Sequence, residues 1–222
     1  MPQEYVPVQS VLGEIPLAES VLYFDDFEHG LQWQADGTGL DYVADAQSDR
    51  SLRGAYSMFT LTKTTPALND YVTVYRDLYL PPSQRVRWLT HFLIADLTYT
   101  QTVDFRIRHV SGSAGTYKEF RIRYVTASYV WQYYNGTAWT AISDSSQYFF
   151  DVGWNRLTFD VDVENSLYTR LQCNDLDLDI STLVPATGAD ATGERMRIQL
   201  YHDSTGVGQS EIQVDSVMVQ AL

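Results

Sequence analysis

The stretch TVDFRIRHVSGSAGTYKEFRIRYV, residues 102–125, contains the tetrapeptide Phe-Arg-Ile-Arg twice, on either side of a turn rich in Ser and Gly. Apolar and polar residues alternate along both halves. This period of two is typical of strands that bury one face and expose the other. The stretch therefore predicts an antiparallel β-hairpin, and it favours an all-β fold.

A two-residue type II′ turn at Gly112 and Ser113 would determine the register of this hairpin. The predicted pairs are apolar on one face and oppositely charged on the other: Phe105 with Phe120, Val103 with Ile122, Asp104 with Arg121, and Arg106 with Glu119. A slip of one residue would place Phe and Ile opposite Arg, which neither face tolerates. We therefore expect these arginines to pair with acids across the hairpin rather than to bind a ligand.

From Val21 onward the chain consists of short runs of β-forming residues separated by turn signals. The predicted strands are 21–27, 56–63, 71–80, 86–95, 102–110, 116–125, 128–134, 137–142, 155–163, 167–173, 195–201 and 211–219. No stretch has the period of a long amphipathic helix. The sequence predicts a single domain over residues 21–222, a sandwich of two antiparallel sheets.

Composition limits the kinds of site that the chain can build. The single cysteine, Cys173, excludes an intramolecular disulfide and a zinc site of several thiolates. No apolar run approaches the roughly 20 residues that a membrane crossing needs, and no basic-then-apolar leader follows Met1. We therefore expect no membrane association and no export signal, and a location on a particle surface or in a cytoplasmic assembly.

Charge is unevenly distributed along the chain, whose net charge is −13. Residues 1–49 contain ten acids and no Lys or Arg, residues 50–156 contain twelve bases and seven acids, and residues 157–222 contain three bases and eleven acids. An acidic protein repels phosphate backbones, so we expect no nucleic-acid partner. Strands from the three segments are expected to interleave and to mix these charges.

Residues 1–20 differ from the rest, because Pro2, Pro7 and Pro16 are interspersed with isolated apolar residues. Proline fixes φ and removes a backbone donor, which argues against a helix or a central strand. The segment is nevertheless too apolar for an ordinary disordered tail. It predicts an extended arm that covers either an edge of its own sheet or a neighbouring subunit.

A second hairpin is predicted over residues 129–142, because Asn135-Gly136 is a strong signal for a type I′ turn. That turn opposes Gln132 to Trp139 and places both, with Tyr134, on the less apolar face. These three side chains are our candidate ligand site. An aromatic plate beside an amide and a phenol suits a sugar, but it also suits a subunit interface or packing under a loop.

Three further segments resemble one family of β-sandwich proteins. The run YFDDFEHG at 23–30 with Trp33 resembles the first strand of jelly-roll carbohydrate-binding modules, and WNRLTFDVD at 154–162 and IQVDSVMV at 212–219 resemble later strands of laminin-G-like and concanavalin-like sandwiches. The resemblance implies a concanavalin-like jelly roll. That family contains lectins, binding modules, glycosidases and virion decoration proteins, so it leaves the function open.

The resemblance also implies a candidate metal site. Jelly-roll binding modules often hold a structural calcium ion near their first and last strands, which makes Asp26, Glu28 and Asp215 candidate ligands in this chain. No other cofactor is expected.

Catalytic residues are not evident. A glycosidase needs two carboxylates that flank a cleft. The acids of the run 160–164 share one face, as do Glu211 and Asp215, but Gln213 stands between the last two, and solvated outer faces explain both groups. We expect no enzyme activity.

The sequence favours a non-catalytic structural module that decorates or stabilises a larger assembly, such as a virion decoration protein. The apolar arm suggests homo-oligomers or attachment to a capsid. A carbohydrate-binding module is the alternative, and a glycosidase ranks third.

Overall fold

The computed structural model describes residues 20–48, 50–79, 85–112, 115–149 and 153–222. Within these ranges the chain forms two antiparallel sheets of eight strands each. Numbered in chain order, the strands of sheet I are β1 (Ser20–Asp25), β3 (Val43–Gln47), β4 (Ser57–Leu61), β6 (Arg85–Ile94), β11 (Asn155–Asp162), β12 (Leu167–Cys173), β13 (Leu176–Asp179) and β16 (Glu211–Ala221). Those of sheet II are β2 (Gln34–Gly37), β5 (Leu68–Leu78), β7 (Thr100–Ser111), β8 (Thr116–Val125), β9 (Val130–Tyr134), β10 (Trp139–Ser146), β14 (Ala186–Ala189) and β15 (Arg195–Thr205).

The strand order makes neighbours of segments that are distant in sequence. Sheet I has the order β13-β12-β11-β6-β16-β4-β3, with β1 also on β16, and sheet II has the order β10-β9-β8-β7-β15-β5-β2, with β14 also on β8. The predicted all-β, two-sheet antiparallel jelly-roll sandwich is confirmed. Strands of different charge segments interleave as expected, since β15 lies between β7 and β5. The described part of the chain has no helix of the length and apolarity that a membrane crossing requires.

The predicted N-terminal arm, residues 1–20, lies outside the described residues except for Ser20, which begins β1. The boundary between the arm and the domain 21–222 therefore stays a prediction.

Four short strands were not predicted: β2, β3, β13 and β14. Each has four or five residues and is rich in Ala, Gly, Asp or Gln, which have low β-propensity. Pairing with a longer neighbour, as β3 pairs with β4 and β14 with β8, holds them in the sheets.

The first hairpin forms on the predicted strands, but its predicted register is wrong by two residues. Phe105 lies opposite Ile122, and Arg106 lies opposite Arg121 rather than Glu119. Four residues, 112–115, connect the paired positions Ser111 and Thr116, where the prediction allowed two. Because the shift is even, every side chain remains on its predicted face.

The second hairpin shows the same shift. Trp139 lies opposite Tyr134 instead of Gln132, because the turn contains the four residues 135–138. The side chain of Asn135 closes this longer turn, since its Oδ1 accepts hydrogen bonds from the backbone N–H groups of Thr137 at 3.0 Å and Ala138 at 2.9 Å. The Asn side chain thus stabilises a turn of a different length from the one that its dipeptide predicts.

The core between the sheets is strongly aromatic. Phe105 in sheet II is fully buried and its ring centroid lies 5.6 Å from Trp88 and 5.1 Å from Phe92, both in sheet I, in edge-to-face geometry. Such pairs add about 0.5–1.5 kcal/mol each beyond the burial of their area. The alternation of β7 therefore directs its apolar side chains into this core and its charged side chains to the opposite face of sheet II.

The side chain of Tyr168 extends from sheet I to the backbone of sheet II. Tyr168 of β12 accepts a hydrogen bond from the backbone N–H of Arg121 at 2.9 Å, and the carbonyl oxygens of Arg121 and Tyr134 each lie 3.1 Å from its hydroxyl. At this point β8 changes neighbours, because β9 pairs with it only from Ile122 onward and β14 only up to Glu119. The hydroxyl therefore supplies hydrogen bonds that no strand provides, and burial raises its pKa above the ordinary tyrosine value.

We expect Tyr168→Phe to destabilise the fold by about 2 kcal/mol, because it leaves the buried N–H and carbonyl groups of this gap without their partner. Urea unfolding measures the change. Tyr133→Phe is the matched control, since the Tyr133 ring packs against Tyr168 at 5.9 Å but its hydroxyl has no hydrogen bond to a described residue. Equal losses in the two variants would contradict the assigned role.

Candidate functional site

The outward side of sheet II carries a concentration of arginines. Val103, Phe105 and Ile107 point into the core, so the alternate positions of β7, and the positions opposite them in β8 and β15, point outward. We call this surface the arginine face, and its arginines are Arg106, Arg108, Arg121, Arg123, Arg195 and Arg197. Five of these side chains are between 12% and 25% exposed, and Arg123 is also half-buried. The six side chains therefore lie along the sheet instead of extending into solvent.

The three predicted ligand-site residues come together at one end of the arginine face. The ring centroids of Trp139 and Tyr134 are 5.4 Å apart, and Gln132 is the next outward position on β9. Arg123 Nε donates to Gln132 Oε1 at 2.8 Å, and the Tyr134 hydroxyl donates to the carbonyl of Gly136 at 3.0 Å. The indole, the phenol and the amide thus form one half-buried group at the outer strands.

Sequence reasoning missed the arginines as members of this group. Arg123 and Arg121 lie over the Trp139 ring, with guanidinium carbons 4.2 Å and 4.8 Å from its centroid. Further along the face, Arg108 stacks on Tyr117 and Arg197 on Tyr75, each at 4.0 Å. The signal was the repeated Phe-Arg-Ile-Arg, whose alternation places four arginines on one face.

Asp104 interacts more strongly with Arg121 than with Arg106. Arg121 Nη2 hydrogen-bonds Asp104 Oδ2 at 2.5 Å. Burial raises the pKa of the Asp104 carboxyl, against the lowering effect of Arg121 and Arg106. Burial acts to lower the pKa of Arg121, but Asp104 outweighs it and the pKa is raised, whereas the pKa of Arg106 is lowered by burial and by Arg121. Asp104 therefore neutralises Arg121 better than it neutralises Arg106.

No protein-family model and no curated protein matches the chain. Among solved structures, an endo-β-1,4-glucuronan lyase from the fungus Trichoderma reesei superposes with a TM-score of 0.63 at 9% identity, over 91% of this chain and 96% of that one. The cellulose induced protein Cip1 superposes with a TM-score of 0.57 at 13% identity, over 90% and 97%. An immunostimulatory antigen and pseudo β-1,3-glucanase of Mycobacterium tuberculosis gives 0.53 at 14%, over 91% and 99%.

At identities this low the superpositions show the fold alone. Together with the two antiparallel sheets they establish which fold it is. The fold is a concanavalin-like jelly roll. The resemblance stated from the three sequence segments is therefore confirmed at the level of the fold.

Two of the three candidate calcium ligands, Glu28 and Asp215, hold a loop of the protein. Asp215 is fully buried, and its Oδ2 accepts hydrogen bonds from the backbone N–H groups of Leu52 at 2.7 Å and Arg53 at 2.8 Å. Glu28 Oε1 accepts from the N–H groups of the same loop at positions 55 and 56, at 2.6 Å and 2.9 Å. Both carboxylates thus accept hydrogen bonds from backbone amides of one loop, residues 52–56.

Asp26, the third predicted ligand, accepts from the backbone N–H of Glu28 at 3.3 Å. Among the described residues, no three Asp, Glu, His or Cys side chains are grouped so that they could hold a metal ion. Glu28 and Asp215 thus act as loop anchors, and calcium binding by the three acids stays a prediction.

We expect Asp215→Asn to destabilise the jelly roll by about 1.5–3 kcal/mol, because it weakens two charge-assisted hydrogen bonds from the buried carboxylate to backbone amides. Thermal unfolding in calcium chloride and in EDTA measures this loss for both proteins. The midpoint of the wild-type protein should be the same in both solutions. A rise with calcium that Asp215→Asn abolishes would instead establish the metal site.

Two of the acids that sequence reasoning considered for a glycosidase, Asp160 and Asp162, lie on sheet I and are engaged. Asp160 binds Arg87 with two hydrogen bonds, at 2.8 Å and 2.9 Å. Asp162 accepts from the backbone and side chain of Asn165, which lowers its pKa against the effect of burial. These carboxylates support the strands of sheet I, and they lie on the opposite sheet from the arginine face.

Proposed function

We propose that this chain is a carbohydrate-binding module that binds a glycan on the arginine face. The observation that carries the proposal is the convergence of Trp139, Tyr134 and Gln132 at one end of that face. A sugar ring has apolar C–H surfaces that pack on aromatic rings and hydroxyl groups that need hydrogen-bond partners. The three side chains supply both kinds of contact.

Unused donors support this assignment. The Trp139 indole N–H makes no hydrogen bond to a described residue. Gln132 uses its carbonyl oxygen to accept from Arg123, so its side-chain N–H₂ group remains for a ligand. The same contact with Arg123 holds the amide in one orientation, which lowers the entropy cost of binding.

The comparisons favour this alternative over the assembly role that the sequence suggested first. The three solved structures described above carry names that refer to glucuronan, cellulose and β-1,3-glucan. A role in a virion or another assembly, with homo-oligomers formed through the arm, depends on residues 1–20, and no described contact bears on it. Light scattering of the purified chain tests self-association directly.

The module that we propose is non-catalytic. The contacts of the candidate acids support this part of the proposal. Asp160 is paired with Arg87, and Asp162 with Asn165. Asp215 anchors a loop. One of the solved structures is a lyase, so the proposal requires a direct assay. New reducing ends or unsaturated products from a bound polysaccharide would refute the non-catalytic part and leave the binding site in place.

We expect Trp139→Ala to weaken glycan binding by roughly ten- to a hundredfold, because it removes the largest apolar surface of the site. Affinity electrophoresis in gels that contain polysaccharide, followed by calorimetry, measures the change. Tyr79→Ala is the matched control, since Tyr79 is an aromatic residue 81% exposed at the end of β5, away from the group around Trp139. Unchanged affinity in Trp139→Ala, with an unchanged melting temperature, would contradict the site.

A further inference from the structure

Arginines lie directly opposite each other at the centre of the arginine face. Arg106 of β7 pairs with Arg121 of β8, and Arg108 of β7 pairs with Arg197 of β15. Like charges at directly opposed positions destabilise a sheet. A sheet selected for stability alone would place an acid at one position of each pair, as the register predicted from the sequence did for Arg106.

Most of these arginines donate hydrogen bonds to a nearby carboxylate, or in one case to a side-chain amide oxygen. The pairs are Arg121 with Asp104 at 2.5 Å, Arg197 with Asp77 at 2.7 Å and 2.8 Å, Arg108 with Asp190 at 2.8 Å, Arg123 with Gln132 at 2.8 Å, and Arg195 with Asp190 at 3.5 Å. Five of the six arginines therefore hold a partner within the described residues.

Arg106 is the exception among the six. It makes no hydrogen bond to a described residue. Its Nε is buried without a partner, as are those of Arg108, Arg121 and Arg195, but these three hydrogen-bond through their Nη groups. Its nearest carboxylate, Glu119, is 3.7 Å from Nη1, and it is shared with Arg108 at 3.8 Å and Arg121 at 3.7 Å. A guanidinium is never neutral at ordinary pH, so Arg106 carries a charge whose ion pair with Glu119 is long and shared with two other arginines.

The position of Arg106 connects it to the candidate site. Trp139 pairs with Tyr134, Arg121 lies over both rings, and Arg106 is directly opposite Arg121 on the next strand. Neighbouring strands are about 4.8 Å apart. A chain of sugars that begins on Trp139 and runs across the strands would therefore pass from Arg121 to Arg106.

We propose that Arg106 is the subsite for an anionic group of the bound glycan, the carboxylate of a uronic acid or a sulfate ester. This inference rests on the proposed glycan-binding function and adds the chemical class of the ligand. The planar guanidinium matches either anion with two parallel hydrogen bonds. A bound anion would also relieve the repulsion between Arg106 and Arg121, so part of the binding free energy is stored in the unliganded sheet.

The test compares three polymers, polygalacturonate, dextran sulfate and neutral xylan, each titrated into the full chain at low and high salt. We expect the wild-type protein to bind at least one anionic polymer more tightly than xylan, with an affinity that falls as salt rises. Arg106→Gln should lower that affinity about tenfold or more, because it removes a charge-assisted contact. The anionic polymer that binds distinguishes carboxylate from sulfate.

Two further variants control for charge and folding. Arg170→Gln removes the same charge from sheet I, where Arg170 is paired with Asp177, and it should leave affinity unchanged. Arg106→Lys keeps the charge without the planar fork and should give an intermediate affinity. Because Arg106→Gln removes a repulsion, its melting temperature should equal or exceed that of the wild-type protein.

The outcomes separate this inference from the proposed function. Equal affinity of Arg106→Gln and wild-type protein for the anionic polymers overturns the subsite, as does a wild-type preference for xylan. Xylan binding that Trp139→Ala weakens would then keep the proposed function and reject only the anionic subsite. Binding of none of the three polymers overturns the subsite and counts against the proposed function as well.

Discussion

The Tyr168 hydroxyl joins the two sheets at the point where the strand pairing of β8 is interrupted. The long strand β8 pairs with two different partners along one edge, β14 at its start and β9 at its end, and the backbone of Arg121 lies between them. A buried peptide group without a partner is costly, so this exchange of neighbours requires a donor and acceptor from elsewhere. Tyr168 provides them from the other sheet. The same contact fixes the spacing of the sheets beneath Arg121 and Tyr134, where the candidate site begins.

Alternation along the strands predicted the fold class and the faces of both hairpins, because burial on one side of a sheet imposes a period of two. The grouping of Trp139, Tyr134 and Gln132 followed from the same rule. The register did not follow, because it depends on turn length. Asn135 and Gly136 are compatible with a two-residue turn. The pairing of Trp139 with Tyr134 in the structure shows instead that the turn contains four residues. Short strands such as β13 and β14 were missed because pairing with a neighbour, not their own composition, holds them in place.

The contacts of the candidate metal ligands could not be predicted for a related reason. Asp215 binds the amide of Leu52, which is 163 positions away in the chain. From the sequence alone, a carboxylate in the last strand is equally consistent with a calcium ligand and with a loop anchor. The arginines show the opposite case. Their alternation was visible in the sequence, but the assumption of acid partners, reasonable for a sheet built for stability, hid the opposed pair Arg106 and Arg121.

Both hairpins differ from their predicted register by two residues, and this has a consequence for how the protein can change over time. A shift of either register by two residues would slide the strands yet leave aromatic and aliphatic groups facing inward. A shift of one residue would turn Phe120 or Trp131 towards solvent and bring charge into the interior. Residues added at these two loops therefore have to stay in the loop or shift the register by an even number, so that parity, more than length, is what the buried face preserves.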